Sequence, residues 1–379
     1  MAGAGVCADV PAPGHTATEA LVTSSAGFAD WLAAQDIALA LTTYQAGRLF
    51  FVGRKPDGGI RAHERMIENC QGLWSDGQSL WASSAYMLWR FENVLAAGAT
   101  TPGGADRKFV PVEGRVTGQI DCHDIAMAEV DGTPRPVFVN TRCNCLATIS
   151  DRHSFRPLWL PPFISALVAE DRCHLNGLAT EGLRPAYVTA VGHADVVDGW
   201  RDQRQAGGVV IDVDSHEIVA AGLSMPHSPR LYRGRLWLLN SGTGEFGHVD
   251  PGDGRFTPLC FCPGFARGLA FFGEYAVIGL SLARQEGSFS GLPLDRALAG
   301  RSAIARCGLL VVNLTSGTAE HWLRFGHTIT ELYDISILPA TRMAEATGFR
   351  NDDIRQHVTA EPWPPTGAHK TFSPMNREY

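Results

Sequence analysis

Short apolar runs separated by turn residues follow one another along residues 39–338. Several of these runs share one pattern, in which an apolar strand is followed by a turn of Asp, Asn, Ser or Gly and then by a second strand. Copies of this hairpin begin at Asn140, Val209, Leu236 and Leu309, with a looser copy at Ser79. Strands that alternate in burial and are joined by such turns pair antiparallel. The pattern therefore predicts an all-β fold.

A second repeated element precedes these hairpins and consists of a polar, a small and an aliphatic residue. Its copies lie roughly 50 residues apart and begin at Gln71, His123, Asn176, Pro229, Arg267 and Tyr333. We interpret each copy as the start of the innermost strand of a four-stranded blade, because a ring of blades buries the faces that a single blade exposes. The chain is thus predicted to form a β-propeller with six blades. Seven blades are the alternative, if residues 49–53 close the ring with C-terminal strands.

A pair of β-sandwich domains would also produce short strands and turns, but it does not require a polar residue to recur at one strand position. We therefore predict a single propeller domain over residues 28–360. A flexible segment at residues 1–27 precedes it, and a Pro-rich, irregular tail at residues 361–379 follows it. Amphipathic spacing predicts two short helices, one at residues 28–36 with Trp31 and Leu32 buried and one at residues 294–302.

The composition of the 379-residue chain narrows the range of partners. Its formal net charge is −7 and its pI is about 6.0, whereas a general nucleic-acid-binding protein needs a basic face. Residues 1–27 contain no Lys or Arg and no long apolar run, so we expect no export signal. No segment is apolar for the roughly 18 residues of a membrane-spanning helix. Nine cysteines, an odd number, fit a reducing cytoplasm, where we expect the protein to act.

Several segments of the chain resemble an uncharacterised bacterial family, a domain of unknown function with a propeller-like fold. The resemblance covers roughly residues 28–338. It rests on residues 42–47 (TTYQAG), 89–93 (WRFEN), 171–177 (DRCHLNG), 224–230 (SMPHSPR), 264–270 (GFARGLA) and 291–294 (GLPL). It implies one domain of repeated sheets and brings with it no reaction, substrate or cofactor.

Three histidines, His123, His174 and His227, lie in or just before the repeated element of three blades. The innermost strands of a propeller line a central channel, so polar side chains at their ends converge from distant positions in the chain. Three imidazoles could bind Zn²⁺ or Fe²⁺ with one position open for a substrate, and without a metal they could act as general acid or base. The alternative interpretation is structural, with each ring bonded to the backbone of a neighbouring blade.

Two arginines, Arg230 and Arg267, fall in the repeated element of two further blades. A guanidinium near the channel suits a carboxylate or phosphate group on a small ligand. Two arginines beside three histidines therefore predict an anionic metabolite. The alternative is that each arginine pairs with an acid such as Asp124 or Asp334 and holds blades together.

The remaining candidates mostly supply oxygen atoms. Asn176 and Asp124 would position the substrate, a water molecule or a metal-binding histidine, and Tyr44 would border the channel mouth or help to close the ring. Asp124, Asp334 and Asn176 also offer the oxygens that Ca²⁺ prefers, so calcium is an alternative metal. We expect no nucleotide cofactor, because the glycines of residues 242–247 (GTGEFG) lead into a turn and not into a helix that would hold a pyrophosphate.

These residues predict an enzyme that acts on a small anionic metabolite in a His- and Arg-lined central channel, with or without a divalent metal. The sequence leaves the reaction open among hydrolysis, isomerisation or elimination, and metal-dependent oxidation. A different class of function is a non-catalytic propeller that binds a protein partner through its surface loops. Long loops near residues 104–108 and 285–302 favour that alternative, since recognition often lies on loops.

Overall fold

The protein is described here from a computed structural model, which covers residues 22–282, 291–326, 328–350 and 352–360. Within these residues the strands form six sheets, five or four strands in each. The tail predicted at residues 361–379, most of the segment predicted at 1–27 and part of the loop predicted at 285–302 lie outside the described residues.

Each sheet is one blade of a six-bladed propeller, which confirms the all-β prediction with six blades. From the innermost strand outwards, the first three blades consist of Ile335–Pro339, Ile37–Thr43, Arg48–Arg54 and Ile60–Met66 (blade 1); Leu73–Ser75, Ser79–Ser83, Met87–Asn93 and Arg107–Val116 (blade 2); and Cys122–Val130, Thr133–Asn140, Cys145–Thr148 and Arg156–Trp159 (blade 3). The other three consist of Leu175–Glu181, Arg184–Ala190, Gly208–Asp212 and Ile218–Leu223 (blade 4); Pro226–Tyr232, Arg235–Asn240, Glu245–Val249 and Phe256–Phe261 (blade 5); and Phe265–Phe272, Tyr275–Ser281, Gly308–Asn313 and Ala319–Phe325 (blade 6).

Two short strands extend the outer edges of blades. Val22–Ser24 pairs antiparallel with blade 6, and Ala344–Ala346 pairs parallel with blade 2. Helices are few and short in the described part of the chain: Phe28–Gln35, Pro293–Gly300, Asp353–Gln356 and a 3₁₀ segment at Gly199–Gln203. The first helix buries Trp31 and Leu32 as predicted. None of the described helices has both the length and the apolar character to cross a membrane.

Blade 1 closes the ring because it combines strands from both ends of the propeller. Its innermost strand, Ile335–Pro339, pairs antiparallel with Ile37–Thr43, in a register that sets Ile37 opposite Pro339 and Leu41 opposite Ile335. The C-terminal strand thus completes a blade whose other three strands come first in the chain. Residues 49–53 belong to this closing blade, as predicted, but the strand that pairs with the C-terminal strand is Ile37–Thr43, and the ring has six blades and not seven.

The blades are held together by apolar side chains that point to both faces of each sheet. All seven residues of Ile37–Thr43 are buried. Ile37, Leu39 and Leu41 pack with residues of blade 6, whereas Ala38 and Ala40 pack with residues of blade 2. Similar apolar clusters fill the contacts between the other neighbouring blades. Because both faces of each sheet are buried, the alternation of side chains along an inner strand decides which neighbouring blade each side chain contacts.

The repeated element lies where the sequence placed it, at or near the start of the innermost strand of every blade. Where its middle residue is Gly, at Gly72, Gly177 and Gly268, close contact between neighbouring inner strands leaves no room for a side chain. A Cβ atom built on Gly177 of blade 4 would lie 2.2 Å from Cδ of Pro229 in blade 5 and 2.8 Å from the hydroxyl of Thr189. A side chain there would force the two inner strands apart.

We predict that Gly177→Val lowers the free energy of unfolding by about 2–3 kcal/mol, because overpacking displaces backbone and side chains. Urea unfolding followed by circular dichroism measures the change. The control is Gly300→Ala, since a Cβ on Gly300 meets no atom within 4 Å. Equal stability of Gly177→Val and the parent protein would contradict the proposed close approach of the strands.

Candidate functional site

A cavity of about 170 Å³ lies at the end of the propeller where the innermost strands begin. We call it the histidine cavity. Every blade contributes to its lining, which consists of Tyr44, Gln71, Asp121, His123, Asp171, His174, Trp200, Arg201, Met225, Arg267 and Tyr333. Residues that are far apart in the chain therefore meet in one mostly polar site.

His174 is held in the cavity by a carboxylate and an indole ring. Its Nδ1 lies 2.9 Å from Oδ2 of Asp171, and the same oxygen accepts a hydrogen bond of 3.1 Å from Nε1 of Trp200. The rings of His174 and Trp200 are stacked with their centres 4.1 Å apart. The carboxylate fixes the proton on Nδ1, so Nε2 is the nitrogen left to meet a ligand.

His123 is oriented in the same sense by backbone and hydroxyl oxygens. The hydroxyl of Thr141 lies 2.8 Å from Nδ1 of His123, but it already donates its hydrogen to the carbonyl of Leu175. Nδ1 of His123 therefore carries the proton, and it donates to the carbonyl oxygen of Asp121 at 3.0 Å. Burial lowers the pKa of His123 to about 4, because the loss of hydration outweighs the nearby Asp121 carboxylate, which favours the charged ring. At neutral pH this imidazole is uncharged, with a lone pair on Nε2.

His123 and the buried Arg267 contact the same tyrosine, and His174 contacts His123. The rings of His123 and His174 are 4.8 Å apart and nearly perpendicular, and His123 lies 5.3 Å from the ring of Tyr333. The guanidinium of Arg267, a residue only 5% exposed, lies 4.7 Å from the centre of that same tyrosine ring. The cavity thus places a fixed positive charge close to two bases.

The cavity contains negative as well as positive groups, whereas the sequence predicted a channel lined by histidines and arginines. Asp121 accepts a hydrogen bond of 2.5 Å from the amide of Gln71, and its side chain keeps 37% of its exposure. Burial acts against ionisation of Asp121, but His123, His174 and the bond from Gln71 outweigh it and lower the pKa of this carboxyl. An anionic carboxylate therefore accompanies Arg267 in the lining.

His227, the third predicted histidine, is not among the residues that line the cavity. Its Nδ1–H donates to the carbonyl of Met225 at 2.8 Å, and its ring packs edge-on against Phe265. Burial lowers the pKa of His227 well below its usual value, and its Nε2 lacks a hydrogen-bond partner. Nowhere in the described residues do three or more His, Cys, Asp or Glu side chains form a group that could hold a metal ion. A metal site therefore stays a prediction without geometric support.

Arg230 and Asp124 lie deeper between the inner strands and bind each other. The guanidinium forms two hydrogen bonds to the Asp124 carboxylate, of 2.7 and 3.1 Å, and lies 3.6 Å from Asp334. Asp124 also accepts the backbone N–H of Leu178, and Asp334 accepts that of Leu73. We call Asp124, Arg230 and Asp334 the buried ion cluster. It links the inner strands of blades 1, 3 and 5 to one another, and its two backbone bonds reach blades 2 and 4. Arg230 thus holds blades together, the role that the sequence left as its alternative.

The buried ion cluster holds more acid than base, and this affects Asp334. Burial, together with the charge of Asp124, raises the pKa of Asp334 to about 8 despite the opposing effect of Arg230. A proton on Asp334 would leave one carboxylate facing one guanidinium. A buried site that excludes water favours such a pair, because the pair has no net charge.

A second cavity of about 420 Å³ lies beyond the buried ion cluster, where the innermost strands continue. It is lined mainly by apolar residues of all six blades, with Arg230 among them, and we call it the apolar cavity. Asn176 lines neither cavity and accepts a hydrogen bond of 2.7 Å from Thr189 in its own blade. Tyr44 does border the histidine cavity.

Sequence reasoning missed several residues of the histidine cavity. Asp121 and Asp171 precede His123 and His174 by two and three residues, so an acid just before a candidate histidine was the signal that could have found them. Trp200 has no counterpart in other repeats, because it lies on the 3₁₀ segment in a loop of blade 4. Only the folded loop brings it to the site.

A family model matches residues 26–347 of the chain, and that family is described as a domain of unknown function (DUF4915). No curated protein matches the sequence. The match covers nearly all of the propeller and carries no activity with it.

Among solved structures, a chain in a nidogen/laminin complex is similar at 14% identity with a TM-score of 0.50, over 80% of this chain and 99% of that chain. A protein of unknown function from Bacteroides caccae is similar at 10% identity with a TM-score of 0.47, over 79% of this chain and 98% of that chain. At such identities the first likeness indicates a shared propeller fold and nothing about function.

We predict that the imidazole of His123 titrates with a pKa of about 4. Histidine Cε1–H resonances followed by NMR as a function of pH measure it, with the signal assigned by its loss in His123→Gln. The exposed His153 provides the matched assignment control through His153→Gln. A midpoint for His123 near the ordinary value of about 6.5 would show that burial does not dominate this site.

We also predict that Asp334 makes the fold less stable as the pH rises. Its folded-state pKa of about 8 exceeds the unfolded value of about 3.9, so between these values the folded state binds a proton that the unfolded state lacks. Stability from this group is complete below the unfolded pKa and is lost as the pH rises through the folded one. Raising the pH from about 5 to about 8 should therefore lower the free energy of unfolding of the parent protein relative to Asp334→Asn.

Urea unfolding at both pH values measures this difference, and only the change with pH is used, since the substitution also alters stability directly. The control is Asp57→Asn, because Asp57 is exposed and accepts only a local backbone bond. Parallel pH dependence of the parent protein and Asp334→Asn would show that the Asp334 carboxyl is ionised throughout.

Proposed function

The chain belongs to this family of unknown function, and we propose that it is an enzyme that moves a proton on a small acidic metabolite bound in the histidine cavity. The observation that carries the proposal is the pair of imidazoles, His123 and His174, that meet in a cavity lined by all six blades.

His174 has the arrangement of a general base. Its Nδ1 bonds to Asp171, which is itself held by Trp200, so the tautomer and orientation of the ring are set before a ligand arrives. The carboxylate also stabilises the imidazolium that forms when Nε2 accepts a proton. Asp171 and Trp200 are positioning residues in this proposal, and His174 is the catalytic residue.

His123 supplies a second imidazole on the adjacent side of the site. Its pKa of about 4 keeps it neutral at neutral pH. Two imidazoles 4.8 Å apart, one of them held neutral by burial, suit a reaction in which one removes a proton while the other accepts a hydrogen bond. Proton transfer of this kind occurs in hydrolysis, isomerisation and elimination, and it is the step that we propose for this protein.

Arg267 supports an acidic metabolite as the ligand. The buried guanidinium is a cation, and its planar fork suits a carboxylate. The cavity of about 170 Å³ is smaller than the roughly 300–1,000 Å³ of sites for drug-sized ligands. The ligand in this proposal is therefore a small metabolite.

The eight described cysteines form no disulfide, which is consistent with action in the cytoplasm, as proposed from the sequence.

We predict that the purified protein consumes at least one member of a defined library of carboxylic acids of about two to six carbons, with turnover followed by proton NMR in D₂O so that exchange is also detected. His174→Gln should lower kcat by about 10²- to 10⁴-fold, the usual contribution of a general base, while binding measured by calorimetry changes little. Asp171→Asn should lower kcat by a smaller or similar factor and shift the pH profile.

The matched control is His153→Gln, an exposed histidine on a turn of blade 3, which should retain full turnover. If the parent protein neither binds nor turns over any acid in the library, amino acids included, the proposal is wrong. Unchanged turnover in His174→Gln would refute its assignment as the base. A protein-interaction propeller, in contrast, would keep its partner after either substitution and show no turnover.

A further inference from the structure

Asp121 has a carboxylate that the proposed proton transfer does not use. It lies just before the innermost strand of blade 3 and lines the histidine cavity. One oxygen accepts the amide of Gln71 at 2.5 Å, and the other is 3.7 Å from Nδ1 of His123. An ionised carboxylate accepts several hydrogen bonds, and this one keeps 37% of its side-chain exposure. It therefore has room for a donor from a ligand.

Asp171 does not offer the same opportunity. Its side chain is less exposed, at 23%, and it already accepts bonds from His174 and Trp200. The cavity thus contains one carboxylate that orients a base and another that faces the space where a ligand would bind. The second needs its own explanation.

Two guanidinium groups line the same space, Arg201, which forms an ion pair of 3.0 Å with Asp198, and the buried Arg267. The guanidinium of Arg267 and the ring of His123 both lie beside Tyr333, at 4.7 and 5.3 Å from the centre of the ring. Asp121 is bonded to His123 through its backbone carbonyl. The carboxylate and the Arg267 guanidinium thus line one cavity of about 170 Å³, so a small molecule with two opposite charges can contact both.

From this juxtaposition we infer that the ligand of the histidine cavity is a small amino-acid zwitterion, whose ammonium group donates to Asp121 and whose carboxylate binds Arg267. The inference rests on the proposed function and narrows its substrate class from acids in general to amino acids. A purely anionic ligand would meet repulsion from Asp121, and a purely cationic ligand would meet repulsion from Arg267. A zwitterion satisfies both and orients itself by doing so.

The experiment compares ligands in the unaltered protein, so it does not depend on the folding of a variant. Calorimetry measures the Kd of each of the natural L-amino acids and then, for the tightest binder, of its deaminated acid and its decarboxylated amine. Each analogue lacks one charge-assisted hydrogen bond, so each should bind roughly 10- to 100-fold more weakly than the amino acid. A deaminated acid that binds as tightly as the amino acid would overturn the inference.

A nearly isosteric substitution then tests Asp121 itself. Asp121→Asn retains an oxygen for the Gln71 amide and removes the negative charge. It should weaken binding of the amino acid roughly 10- to 100-fold and leave binding of the deaminated acid unchanged or stronger. The preference for the amino acid over its deaminated acid should therefore disappear. The matched control is Asp57→Asn, an exposed aspartate of blade 1, which should retain the preference in full.

The two proposals fail in different ways. If simple carboxylic acids bind and are turned over but no amino acid binds more tightly, the zwitterion inference is wrong and the proposed function stands. If Asp121→Asn weakens binding of the amino acid and of its deaminated acid by the same factor, Asp121 contributes to the shape of the cavity and does not recognise an ammonium group. If neither acids nor amino acids bind the parent protein, both proposals are wrong.

Discussion

Pairing between Ile335–Pro339 and Ile37–Thr43 is the constraint on which the other features depend, because it turns a row of blades into a ring. In an open row, the terminal blades would each expose an apolar face. Once the ring is closed, Ile37 and Leu39 pack with blade 6 and Ala38 with blade 2. Closure also brings the innermost strands so near one another that only Gly fits at position 177. The site forms as a consequence of this convergence.

The buried ion cluster shows how the ring tolerates polar groups where six strands crowd together. Removing charges from water is costly unless they are paired and hydrogen-bonded. Asp124 satisfies this condition by accepting two bonds from Arg230 and one from the backbone of Leu178. The surplus acid, Asp334, is the one whose pKa is raised to about 8. The cluster ties blades together, and the two cavities lie on either side of it.

The same burial that makes the ring stable also sets the chemistry of the histidines. His123 and His227 lie among inner strands, where dehydration favours the neutral imidazole and lowers both pKa values. His174 differs because Asp171 accepts its Nδ1 proton. Two neighbouring imidazoles therefore have different environments, which is the arrangement from which we argue for proton transfer. Asp121 and Arg267 add opposite charges on the side that faces a ligand.

The repeated polar, small and aliphatic residues predicted six blades, with seven as the alternative, and marked every innermost strand, since each blade must return once to the axis. They also indicated that His123, His174 and Arg267 would meet, because inner strands converge by construction. The sequence could not show that His227 packs against Phe265, where the register of blade 5 shifts between His227 and Arg230. Nor could it place Trp200, which reaches the site through a loop without a repeat. Such positions depend on local irregularities of the backbone, and these are decided by packing in three dimensions.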